Sequence, residues 1–264
     1  MDVQVTEKGG KTLRKIKFST PAATGLHEII NPQLSGLKVL NLAVLNLEPK
    51  GLQTLETGKF EACFVVVSGQ VSVKVGDVSY PLGESDCLYV PRNRSAAVTS
   101  SAAASRVVIC KAEADKDTDV IHTRFGDAWL SKSGHEVHGK YNFTRDVVNV
   151  LARSDNARRI VAGITTGQDG LWTSWPPHHH SETMEEIYYY FDIPKNGFGL
   201  HVGMFMDGDE QAEIVRSGDA VIVPDGYHPT VATPGSRMKY IWFLGAKRTE
   251  EDRRAKTVNH PDYA

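Results

Sequence analysis

The chain has 264 residues, of which 41% are hydrophobic and 23% charged, and it carries a formal net charge of −2 with ten histidines taken as neutral. That composition supports a packed core and excludes a disordered chain. The near-neutral balance, the lack of a basic tract, and apolar runs far short of ~20 residues argue against nucleic acid and membrane as partners.

Taken from the N-terminus, "MDVQVTEKGGKTLRKIKF" has charges but no apolar segment of the secretory kind. Short runs rich in Val, Ile, Tyr and Phe follow, bounded by Gly, Pro, Asp or Asn: "LKVLNLAVLNL", "FVVVSGQVSVKVGDVSY", "CLYVP" and "RVVICKA". These read as β-strands. Cys63, Cys87 and Cys110 lie inside such runs, an odd number at wide spacing, and read as buried small hydrophobes in a reducing, cytoplasmic protein. Residues 115–155 are expected to be mostly irregular. "TRDVVNVLARS" (Thr144 to Ser154) is the exception and is predicted helical from apolar residues at Val147, Val148, Val150 and Leu151. Strand signals resume with "RIVAGITT", "EIYYYFDI", "GLHVGMFM", "AVIVP" and "MKYIWFLG", and the charged "RTEEDRRAK" is read as a second helix. Many short strands with few helices make a sandwich or barrel.

The two halves resemble each other. "DCLYVPRNRS" from Asp86 and "DAVIVPDGYH" from Asp219 share an aspartate, an apolar strand and a proline at one spacing, and "EACFVVVSG" from Glu61 resembles "EIYYYFDI" from Glu186. A duplicated β-barrel is the reading, with domains at 1–140 and 141–264. Setting Glu61 on Glu186 places Gln53 and Leu55 where His178 and His180 stand, and setting Asp86 on Asp219 places Ser95 where His228 stands. The second half keeps a ligand set that the first has lost.

That set centres on "WPPHHHSETMEEIYYYF", residues 175–191. A triple histidine by itself is often a solvated turn. On a strand, however, His178 and His180 project to one side and His179 to the other. A glutamate from the next strand and His228, just past the turn "VPDGYHP", would complete a mixed nitrogen and oxygen set. Such a set suits a divalent metal ion, zinc first, with Mn, Fe, Ni or Co as alternatives. No Gly-rich phosphate loop is present, so nucleotide binding has no support.

The pattern HxH…E…GDxxxVPxGxH resembles the two signature motifs of the cupins. "TTGQDGLWTSWPPHHH", "EEIYYYFDIP", "GDAVIVPDGYHP", "NFTRDVVNVL" and the terminal "NHPDYA" together resemble the 5-deoxy-glucuronate isomerase family of inositol catabolism, related to the 4-deoxy-5-ketouronate isomerases of pectin breakdown. The resemblance implies an all-β bicupin, two double-stranded β-helix (jelly-roll) barrels with the metal in the C-terminal one. It also implies an aldose–ketose isomerase acting on a uronate-type sugar acid. The general cupin spacing of three or four residues between the second histidine and the glutamate is met by Glu185 with four, whereas Glu186 has five; the family's ligand directly precedes the apolar strand, which favours Glu186. The implied metal set is then His178, His180, Glu186 and His228, with Tyr188, Glu185 and His201 as candidates for moving the proton.

Tyr190 and Tyr227 are further cavity candidates, and Arg237 and Lys239 are cations suited to a substrate carboxylate. The short loop "HSETMEE" is nearer in length to the pectin-pathway members, so their substrate stands as the alternative. A cupin dioxygenase and a non-enzymatic sugar-binding bicupin are the other readings. Barrels of this kind pair through edge strands, and a homo-oligomer is expected.

Overall fold

The structure is a computed structural model that describes residues 14–263, together with the backbone of two short strands, Glu7–Lys8 and Lys11–Thr12. It forms two β-barrels, each of two antiparallel sheets. The first barrel has a six-stranded sheet in the order Ile121–Thr123, Cys87–Val90, Phe60–Ser68, Ser105–Glu113, Asn41–Leu47, Gly25–Ile30. Facing it are Leu52–Glu56, Ser95–Ser100, Val71–Val75 and Val78–Leu82. In the second barrel the larger sheet runs His135–His138, Arg145–Leu151, Ile160–Gly167, Lys239–Ala246, Met184–Phe191, Asp219–Val223, Lys17–Ser19. Its smaller sheet is Trp172–Thr173, Thr230–Ala232, Gly199–Met204 and Glu210–Val215. The N-terminal strand Lys17–Ser19 thus closes an edge of the second barrel, against Asp219–Val223. No helix among the described residues is long and apolar enough to cross a membrane.

The long apolar runs have a simple cause: the central strands are buried on both faces. In Phe60–Ser68, Ala62, Phe64 and Val66 pack inside the first barrel, while Cys63 and Val65 join a second core shared with the other barrel. Ser105–Glu113 divides in the same way, Val107 and Ile109 inward, Val108 and Cys110 outward. Strands covered on both sides lose the polar alternation of a half-exposed sheet. The three cysteines are free and buried in this shared layer.

Register corrects the alignment of the two halves by one residue. Val90 pairs with Ala62, and its counterpart Val223, also just before the proline, pairs with Glu186. The equivalent of Glu186 is therefore Ala62, and the equivalent of Glu185 is Glu61. These last two have matching roles. Glu185 accepts hydrogen bonds from the backbone N–H groups of Lys38, Val39 and Leu40 at 2.8, 2.7 and 2.6 Å. Glu61 accepts from Arg158, Arg159 and Ile160 at 2.7, 2.7 and 2.8 Å. Each barrel's glutamate holds the chain where it enters the other barrel.

Both predicted helices are absent. Residues 145–151 form a strand, and a bulge between Asn149 and Leu151 lets its apolar residues mimic helical spacing. The β-branched Val147, Val148 and Val150 favour that outcome. The charged tail reduces to a short 3₁₀ turn, Asp252–Arg254. Its Arg253 is buried and donates to the carbonyls of Ile160, Arg153, Asp155 and Ala152. The segment expected to be irregular contains the strands Ile121–Thr123 and His135–His138 and the helix Phe125–Leu130.

Candidate metal centre

His178 lies on the short strand His178–His179, which pairs with Val258–Asn259 near the C-terminus. The tail holds this loop at further points: the His260 N–H donates to the Pro177 carbonyl at 2.8 Å, and the Tyr263 ring meets Trp175 at 5.1 Å. A turn then closes on the His180 carbonyl, which accepts from the Thr183 and Met184 N–H groups, and Met184–Phe191 begins. Alternation holds as expected. His178 and His180 face each other with ring centroids 5.4 Å apart, whereas His179 turns away against Tyr227.

His228 comes from the end of Asp219–Val223 through the turn at Gly226. That residue has φ of 81°, and a side chain there would put Cβ 2.2 Å from the Met204 carbonyl oxygen. Only glycine adopts this conformation at little cost. The Gly226 N–H donates to Ser181 Oγ at 2.9 Å, tying the two ligand loops together. We expect Gly226→Ala to weaken divalent-metal affinity about 10–100-fold, the range for lost support around a ligand. Competition against a chromophoric chelator measures it, and unchanged affinity would mean that the turn does not position His228.

The ligand atoms of His178, His180 and His228 lie within 4.8 Å of one another. Glu186 joins them, its Oε2 3.1 Å from His228 Nε2 and 3.8 Å from His180 Nε2. Two observations show that these residues fit a metal. Glu186 Oε2 and His228 Nε2 are buried and lack any hydrogen-bond partner. Buried polar atoms left without partners are costly and uncommon. Second, His178 Nδ1 donates to the Pro176 carbonyl at 2.9 Å, and His228 Nδ1 to that of Gly226 at 3.2 Å. A carbonyl accepts only, so each Nδ1 carries the hydrogen and each Nε2 keeps its lone pair for the cluster. Burial, reinforced by neighbouring His228, lowers the His178 pKa to about 3 and holds His180 well below the ordinary value. The His178 and His180 imidazoles are therefore neutral, as ligands must be.

A cavity of about 440 Å³ opens on this cluster, lined by His178, His180, Glu186, Tyr188, Arg145 and Arg153 among others. Its wall includes Trp242, whose ring lies where a side chain on Gly163 would be, 2.1 Å from the position of such a Cβ.

The remaining sequence candidates separate clearly. Tyr188 lines the cavity and its hydroxyl meets Ser174 Oγ at 2.8 Å; burial raises its pKa well above the ordinary phenol value. Glu185, next to Glu186 on the strand, points to the opposite face and is occupied by the three backbone donors of Lys38, Val39 and Leu40, so it is not a cavity base. His201 is buried behind the tyrosines rather than on the cavity wall. It meets the Tyr190 hydroxyl at 2.7 Å, and burial lowers its pKa to about 3. Tyr227 packs against His179 and His260. Neither proposed carboxylate cation reaches the site: Lys239 donates to Ser85 Oγ, and Arg237 pairs with Asp192. The cations in the cavity are Arg145 and Arg153. The sequence reading missed both, along with Thr257 and Asn259 from the tail. Arg145, Val147 and Asn149 alternate along the cavity wall, a period-two signal hidden by the helical reading.

The family model described as KduI/IolB matches residues 15–264. The chain belongs to the KduI/IolB family. Among the relatives of this KduI/IolB member, the 5-deoxy-glucuronate isomerase of Shouchella clausii is 28% identical over 247 residues, 86% of this chain and 88% of that protein. That of Listeria monocytogenes is 28% identical over 264 residues, 92% and 94% of the two chains. Among solved structures, an IolB-like protein of Salmonella typhimurium superposes with a TM-score of 0.85 at 24% identity, over 95% of this chain and 98% of that one. Oxalate decarboxylase of Bacillus subtilis superposes at 0.66 with 14% identity, over 94% and 80%. The KduI/IolB chain is an all-β bicupin, and its second barrel carries a three-histidine cluster suited to a divalent metal.

Proposed function

We propose that the second barrel isomerises 5-deoxy-glucuronate to 5-dehydro-2-deoxy-gluconate, an aldose–ketose conversion in inositol catabolism. The observation that carries this reading is the joining of three histidines and Glu186, with orphaned His228 Nε2 and Glu186 Oε2 atoms, to a cavity that also presents arginines. Relatives named 5-deoxy-glucuronate isomerase across most of the chain support the substrate.

Moving a carbonyl to the neighbouring carbon requires removing a proton beside it while negative charge grows on oxygen. When bound, a divalent ion, zinc in our reading, supplies Lewis acidity toward that oxygen. His178, His180, His228 and Glu186 would hold it. Tyr188 keeps its phenolic proton at neutral pH and stands on the cavity wall, so it donates to a substrate oxygen and passes protons through Ser174. Trp242 and the tail residues Thr257 and Asn259 narrow the space around the sugar and limit water.

The test is ¹³C NMR of metal-loaded protein with 5-deoxy-glucuronate, and separately with a 4-deoxy-5-ketouronate. We expect the aldehyde carbon of the first to give way to a ketone without oxygen consumption. Turnover of the second alone would move the assignment to the pectin branch, and oxygen uptake would replace isomerisation with oxidation.

A further inference from the structure

Three arginines are buried among the described residues: Arg145, Arg158 and Arg253. Two are fully accounted for. Arg158 pairs with Asp115 at 2.7 Å and Glu250 at 2.8 Å, and Arg253 donates to four main-chain carbonyls. Arg145 differs. It is 9% exposed, and its guanidinium makes one hydrogen bond, from Nη1 to the Phe143 carbonyl at 3.2 Å. Burial pushes its pKa down, opposed by the hydroxyls of Tyr240 and Tyr188 and by no carboxylate. A guanidinium has five N–H donors, so most of this one is unspent. A buried cation without a counter-ion is costly unless a ligand completes it.

The direction in which the side chain is placed identifies the ligand. Arg145 lines the metal cavity together with Thr165, Ser174, Tyr188 and Tyr240, all neutral hydroxyl-bearing residues. His178, His180 and Glu186 line the same cavity, so the guanidinium and the metal cluster share one space. The other cavity arginine is less free: Arg153 Nη1 donates to the Arg253 and Ala255 carbonyls at 2.8 and 2.9 Å.

From this we infer that Arg145 is the carboxylate anchor of the cavity, a specificity residue that holds the acid end of a sugar acid while the histidine cluster faces its carbonyl end. The inference rests on the cavity being the substrate site proposed above. It explains how one end of an open-chain uronate is chosen for reaction: the planar fork of arginine matches two carboxylate oxygens at once and has no comparable partner in a hydroxymethyl group.

Titration calorimetry of metal-loaded protein with D-glucuronate and with D-glucose tests the anchor without requiring turnover. The wild type is expected to bind glucuronate at least about 30-fold more tightly than glucose, as a charge-assisted bidentate contact implies. In Arg145→Met, which keeps an apolar stem of similar length, that margin should vanish. Arg145→Lys should keep part of it. With 5-deoxy-glucuronate, Arg145→Met should raise KM about 100-fold and change kcat by only a few-fold. If Arg145→Met does not fold, an Arg145→Lys variant with the full wild-type margin and KM overturns the anchor. Retained preference in Arg145→Met, with loss in Arg153→Met, also overturns it and moves the carboxylate to Arg153. A wild type that prefers glucuronate through Arg145 but turns over no 5-deoxy-glucuronate would leave the anchor standing and remove the isomerase reading.

Discussion

Glu186→Gln is expected to lower isomerase turnover by about a thousand-fold, roughly 4 kcal/mol of lost barrier reduction. The metal-free variant should melt within a few degrees of the metal-free wild type. Both halves of this expectation come from the same atom. Glu186 Oε2 is buried without a hydrogen-bond partner, 3.1 Å from His228 Nε2. It contributes little to the empty fold, where an amide of the same shape serves as well. It also lies 3.1 Å from His228 Nε2 and 3.8 Å from His180 Nε2, and an amide oxygen is a weaker, neutral ligand. Turnover and melting temperature, each measured with and without added metal, check this. Full activity in Glu186→Gln would exclude it from the ligand set.

The residue before it should behave in the opposite way. Glu185→Ala is expected to cost about 3 kcal/mol or more of folding stability while leaving metal stoichiometry and turnover intact at temperatures where it remains folded. Hydrogen bonds to a charged acceptor contribute ~1.5–3 kcal/mol each, and buried donors left unmade are penalised further. Glu185 serves three of them, at Lys38, Val39 and Leu40. Glu61→Ala should match it, since Glu61 performs the same task for Arg158, Arg159 and Ile160. Chemical denaturation of the two variants measures the loss. A stable Glu185→Ala with impaired catalysis would return Glu185 to the active site and contradict the geometry described above.

That contrast between neighbours also marks how far the sequence could be read. Two adjacent glutamates on a strand point to opposite faces, so a one-residue slip in aligning the halves exchanges the proposed metal ligand for a structural clamp. The motif around His178, His180 and His228 was legible because ligand chemistry demands particular residue types at particular spacings. The strand-rich composition made the barrels legible in the same way. Arg145 was not legible. A bulge at residues 149–151 gives its strand the apolar spacing of a helix, and a helical reading places Arg145 on no common face with the cavity. Lys239 and Arg237 looked equally suitable as cations, and only tertiary pairing with Ser85 and Asp192 removes them. The clamps at Glu61 and Glu185 join residues roughly 100 to 150 positions apart, through backbone groups that no side-chain motif records.

The most direct measurement is chelator stripping and metal restoration, followed by ¹H NMR of 5-deoxy-glucuronate. Stripped protein should leave the aldehyde signal unchanged, and one equivalent of divalent metal per chain should restore its conversion to the ketose, in the wild type and not in Glu186→Gln. Conversion at the full rate by protein holding far less than one equivalent of metal would contradict a metal-dependent isomerase built on His178, His180, Glu186 and His228.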